Sequence, residues 1–151
     1  MRGARVSAHY VREQFRAASK TVLEAAGYEF VESINVASLA KSLPVKWYTL
    51  EFIVGDESRA ALGVPSLMRE QGTCAVQIFS EQHITDAAAT QAADMVRDAF
   101  TNWADASGHL RVIDCAPAVD IDSGDFRGAF YGVFVSVRYL FDRLVNQSPI
   151  T

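Results

Sequence analysis

The run from Phe126 to Phe141 constrains this chain more than any other stretch. Ala129, Tyr131, Val133, Val135, Val137, Tyr139 and Phe141 share one face of an extended strand. The alternate set, Phe130, Gly132, Phe134, Ser136, Arg138 and Leu140, is itself largely apolar until its end. A strand apolar on both faces belongs in the middle of a sheet, or reaches past its own domain to a neighbour.

The preceding residues supply its companions. Thr73 to Phe79 is a strand-length apolar run released by Gly72 and stopped by Ser80, Glu81, Gln82 and His83. A helix follows from about Thr85, with an expected buried stripe of Ala88, Ala92, Met95, Val96, Ala99, Phe100 and Trp103. Thr85 is placed to cap its first turn, Asp86 suits the positive end, and Gly108 offers a left-handed exit. His109 to Cys115 reads as a further strand closed by Pro117, and Asp120 to Asp125 as an acidic turn.

Earlier in the chain, Val11, Phe15, Ala18, Val22, Leu23 and Ala26 step by three and four, predicting an amphipathic helix over 7–26 that stops at Gly27. Residues 28–46 sustain no period. Trp47 to Val54 alternates as a half-buried strand, with Tyr48, Leu50, Phe52 and Val54 on one face. Between Gly55 and Gly72 the residues Gly63 and Pro65 argue against anything more regular than a turn. The expectation there is a long connection exposing Leu62, Val64, Leu67 and Met68, apolar residues suited to docking. The expected architecture is α+β, a four-stranded mainly antiparallel sheet with two principal helices packed on it. It forms one domain over 1–151: an N-terminal helix and irregular segment (1–46), a core (47–141) and a flexible tail (142–151).

A chain of 151 residues, half of them apolar, buries enough core to stand without a disulfide or metal. Its two cysteines, Cys74 and Cys115, lie far apart in predicted strands and read as buried thiols in a reducing compartment. No run of eighteen apolar residues occurs, and the first twenty residues lack the apolar core of a secretion signal. The expectation is no membrane partner and a protein made and used inside a cell, unless a larger assembly carries it out. Charge is uneven: residues 1–20 hold five basic residues against Glu13, while residues 81–125 hold nine acids against Arg97 and Arg111. Such halves are either solvated faces or the two sides of a self-complementary contact.

Chemistry-bearing patterns are sparse. His9, His83 and His109 stand in no metal-ligand spacing, and no nucleophile elbow, phosphate-binding glycine loop or Cys/His pair is present. The basic helix lacks a nucleic-acid recognition signature. The acidic turn misses calcium-loop spacing, and Asp94 and Asp98 read as a solvated helix face before an acid/base pair. The expectation is therefore a non-enzyme with no catalytic, cofactor-binding or metal residues and no cofactor.

Four features taken together resemble a known family. They are the Leu62-Gly63 loop, the Arg69-Glu70-Gln71-Gly72 lead into a Val76-Gln77-Ile78-Phe79 strand, the alanine-rich helix ending in Phe100, and the closing strand from Gly128 to Val137. The family is the tail terminator proteins of long-tailed bacteriophages, with the related minor tail and neck proteins of prophages. The likeness runs from about Tyr48 to Phe141, and the chain departs from the pattern between Gly27 and Lys46. The resemblance implies a structural virion protein, assembled in a bacterial host's cytoplasm, that forms a ring, typically of six subunits. The ring caps the tail tube, ends its polymerisation and meets the head connector. Its partners are further copies of itself, the major tail tube protein and the head–tail connector or completion protein, with DNA only as cargo through the lumen. On that reading the expected interface residues are Arg59, Leu62, Val64, Leu67, Met68, Asp120, Asp122, Asp125 and Arg138. A head completion or neck protein is the nearer alternative, and a small-molecule-binding or enzymatic α+β domain with a site near Trp47 and Trp103 the more distant one. A phage-derived gene transfer agent is an equal setting for the same role.

Overall fold

A computed structural model of the chain describes residues 8–32, 43–61, 66–81, 86–121 and 130–145. The elements are α1 (His9–Leu23), β1 (Glu29–Phe30), β2 (Lys46–Ala61), β3 (Ser66–Glu81), α2 (Asp86–Phe100), β4 (Leu110–Cys115), β5 (Val119–Asp120) and β6 (Phe130–Val145). They form an α+β fold whose sheet runs β1-β2-β3-β6-β4, with β5 also beside β6. The four longer strands β2, β3, β6 and β4 are antiparallel in succession, while β1 joins β2 in parallel. The sheet is thus mixed and six-stranded rather than four-stranded. The two additions are two residues each, too short to carry a period in sequence, and only pairing with a long neighbour makes them strands.

β6 lies between β3 on one side and β4 and β5 on the other, the internal place its two apolar faces require. Val133, Val135, Val137, Tyr139 and Phe141 face both helices, together with Tyr48 and Leu50 of β2 and Cys74, Val76 and Ile78 of β3. α1 contributes Val11, Phe15 and Leu23 to this core. It ends where Gly27 takes φ +89°, so that the Gly27 and Tyr28 N–H groups donate to the Glu24 and Leu23 carbonyls, the paired bonds of a Schellman ending.

α2 buries a different stripe from the one its sequence suggests. Ala89, Ala92, Ala93, Val96 and Phe100 face the core, whereas Met95 is 43% exposed and Ala99 is exposed. The sheet selects the face with the smaller residues, because alanines let the helix axis approach the strands closely. The helix also leaves through Asn102 (φ 62°) rather than Gly108, whose own positive φ closes the next turn by donating its N–H to the Asp105 carbonyl. Thr85, the expected cap, lies outside the described residues.

The opposite face of the sheet carries a smaller cluster at one end, Val31, Trp47, Phe79 and Phe130. Trp47 stacks on Phe79 with centroids 4.2 Å apart. Gly132 makes that possible, since a Cβ there would lie 2.6 Å from the Phe79 ring. Towards the other end this face is open, with Ile53 57% and Ile113 47% exposed.

The expected long connection between Gly55 and Gly72 is instead a continuation of both strands. β2 and β3 pair from Lys46↔Ser80 to Ala61↔Leu67, with register shifts between Val54 and Asp56 and between Arg59 and Ala61. β6 follows β3 to Ser66↔Val145, so residues 142–145 are strand rather than tail. Polar residues stand on both faces of this stretch, so no apolar–polar alternation marks it as strand in the sequence.

Candidate interaction surface

Strand length makes the surface. β2, β3 and β6 have 16 residues each and span about 50 Å. The helices have 15 residues and span about 22 Å. Beyond the last pair of β4, Leu110↔Phe141, the ends of these strands form a three-stranded arm of residues 56–61, 66–69 and 142–145.

Charged groups fix the base of the arm to the body. On the helix side, Glu70 is 4% exposed and accepts hydrogen bonds from the Tyr139 hydroxyl at 2.6 Å and the Ala8 N–H at 3.3 Å. α1 has no side-chain cap of its own. Glu70 thus supplies from another strand the acceptor for the N-cap N–H that the third helical residue of a capping box would supply locally. Burial, and next the bond to the Glu70 carboxylate, push the Tyr139 phenol far up, so it remains a donor. Gly72, opposite Tyr139 in the ladder, leaves room for that ring.

On the open side, Asp142 takes both the Nε and an Nη of Arg69, at 2.7 and 3.0 Å, and an Nη of Arg111 at 3.0 Å. The Asp142 side chain is only 9% exposed, against 32% for Arg69 and 38% for Arg111. The Arg69 fork holds the Asp142 carboxyl below the usual carboxylate range against the opposing effect of burial, and Arg111 adds to it. Further out, on the helix-side face of the ribbon, Arg143 pairs with Glu57 at 2.6 Å. Leu67 stands directly opposite Leu144, which is 62% exposed.

A second anchor lies beyond α2. Burial raises the Asp105 carboxyl, but bonds from Tyr10, Ser107 and the Leu110 and Gly108 N–H groups outweigh it and leave the pKa lowered. The Tyr10 hydroxyl donates to Asp105 while its ring stacks on Phe141, tying α1 to the turn before β4.

The expected interface residues fall in two regions. Arg59, exposed, faces Met68 across the β2–β3 ladder, and Leu67 and Met68 are half-buried on β3, so these three share the arm. Asp120 lies at the far end, where β5 pairs with Val133, and its carboxylate accepts from Tyr131 at 2.6 Å. Arg138 is exposed between the two and pairs with Asp114 at 2.9 Å. Leu62, Val64, Asp122 and Asp125 lie outside the described residues. Arg69, Arg111, Asp142 and Leu144, the groups that shape the arm's open face, are not among the expected interface residues. They lie on three strands, and the only local signal was the alternation Leu67, Arg69, Gln71, masked by the opposite alternation Met68, Glu70.

Among the described residues no three His, Cys, Asp or Glu side chains gather as metal ligands. Cys74 is buried and Cys115 half-buried, and burial pushes both thiols up, away from nucleophilic thiolate. Trp47 and Trp103 are both committed to aromatic packing, Trp47 on Phe79 and Phe130, Trp103 on Phe15 and Phe100. A shallow depression of about 180 Å3 on the open face is floored by Gly72 and Thr73 and flanked by Ile53, Ile113 and Arg138. No helix among the described residues is long and apolar enough to cross a membrane. Comparison with protein-family models finds none that matches the chain, and comparison with curated proteins finds no match either.

Proposed function

We propose that the chain is a structural virion protein, a tail terminator whose subunits form a ring, of six copies on the family pattern. The ring caps the tail tube, halts its growth and offers its other side to the head connector, and the protein is not an enzyme. The observation that carries this reading is the three-stranded arm. It extends a sheet well beyond the helices that cover it and is held rigidly at its base by Glu70, Tyr139 and Asp142. A projecting, charge-braced sheet bearing exposed leucine is a device for meeting another protein. The antiparallel set β2-β3-β6-β4 is the frame of the subunit, and the acidic residues that face solvent keep passing DNA from adhering, since phosphate binding needs basic neutralisation. The residues described support no competing catalytic constellation.

The test combines the purified chain with polymerising tail tube protein. The expected results are a closed ring by cryo-EM and tubes whose lengths stop increasing once the ring is added. A chain that stays monomeric and never co-purifies with tube protein from assembled particles overturns the proposal.

A further inference from the structure

The arm's open face carries cationic charge in excess. Arg69 and Arg111 share the one carboxylate of Asp142, and each remains about a third exposed. Beside them stand Leu67 and the 62% exposed Leu144. In a protein of net charge −4, such a patch fits an acidic, partly apolar surface better than it fits another basic one.

The chain itself presents that surface. On α2, Asp94 and Asp98 are both exposed, one turn and so roughly 6 Å apart. Met95, 43% exposed, lies beside them. No ion pair to either carboxylate forms among the described residues, and Arg97, the cation of this helix's last turn, is half-buried. Met95 also stands outside the buried stripe, so much of a long apolar side chain is left in water. α2 covers one face of the sheet, while Arg69 and Arg111 lie on the other. The two patches therefore cannot meet within one molecule.

We infer that Arg69, Arg111, Leu67 and Leu144 of one copy receive the Asp94–Met95–Asp98 strip of a second copy. The two surfaces differ, so the contact is head-to-tail and repeats around a ring instead of closing as a two-fold dimer. The inference rests on the ring reading above and names the subunit contact that reading needs.

The test uses two variants of the full chain, Leu144→Lys on the arm and Asp94→Lys with Asp98→Lys on the strip, all at exposed positions. Far-UV circular dichroism matching the parent's and a single cooperative unfolding transition establish that both fold, since loss of assembly by itself lowers the unfolding temperature. Sedimentation velocity is expected to show the parent assembling and each variant alone at least tenfold weaker in self-association. An equimolar mixture is the deciding measurement. Each variant keeps one intact half, so the mixture is expected to give 1:1 dimers and nothing larger. Assembly of the strip variant at parental strength overturns the inference, as does a mixture without dimers or a parent that never self-associates. If strip variants still form rings that stop tubes, this contact fails while the proposed function stands. If the contact is found but tube growth is unaffected, the reverse holds.

Discussion

Gly72→Ala is the most informative single change in this fold. A Cβ on Gly72 would lie 2.6 Å from the Tyr139 hydroxyl oxygen, 2.7 Å from Cζ of the same ring and 2.9 Å from the Ile53 carbonyl oxygen. The carbonyl belongs to the β2–β3 ladder and cannot retreat without breaking it. The ring is fully buried and tethered by its 2.6 Å bond to Glu70. One methyl therefore forces either strand separation or expulsion of the tyrosine. Overpacking of this kind costs about 1–3 kcal/mol, and losing a hydrogen bond to a carboxylate adds about 1.5–3 kcal/mol. A loss of roughly 3 kcal/mol or more is expected, which in a domain of this size lowers the unfolding temperature by about 6–12 °C. Gly55→Ala is the matched control on the neighbouring strand. Its Cβ would meet only the Gln71 carbonyl oxygen at 3.6 Å, an ordinary contact, so its effect stays within about 1 kcal/mol. Urea unfolding of both variants decides the matter. A Gly72→Ala protein as stable as Gly55→Ala would falsify the claim that the Gly72 and Tyr139 pair is what lets the arm join the body.

Two further variants probe the arm's charged anchors. Tyr139→Phe removes the 2.6 Å donor to buried Glu70, with an expected loss of about 1.5–3 kcal/mol. Hydrogen exchange should also speed up in the first turn of α1, where Glu70 receives the Ala8 N–H, and unchanged exchange there would show that Tyr139 does not position Glu70 at the helix end. Asp142→Asn removes a carboxylate whose pKa is lowered by Arg69 first and then, against burial, by Arg111. A depressed carboxylate contributes stability above its unfolded pKa of about 3.9, and the contribution is lost as pH falls through the lower folded value. The variant should be less stable at pH 7 by on the order of 1–2 kcal/mol, below the value for a fully buried pair because both guanidiniums are partly solvated. The difference from the parent should shrink as pH falls below about 4. A difference that does not change between pH 7 and pH 3 contradicts the ion-pair account.

Much of the body was legible from residues alone. β6 announced itself as internal because both of its faces are apolar, and α1 because its apolar residues repeat at helical spacing and Gly27 follows them. The arm was not legible. Both of its faces carry polar residues, so hydrophobic period, the main sequence signal, is silent there, and Gly63 and Pro65 are turn residues. The buried stripe of α2 was misjudged for a related reason. Alanine carries so little hydrophobic weight that Met95 sets the direction of the apolar stripe in sequence, and only the approach of the sheet favours the side of Ala89 and Ala93.

The sequence by itself determined the α+β class and the central place of β6, because burial periodicity is a local property. Tertiary structure alone decided the arm and its patch. Arg69, Arg111 and Asp142 are separated by tens of positions, and their charges meet only because β4 and β3 flank β6 in register. An ion cluster of that kind depends on distances across strands, which no spacing along one strand encodes.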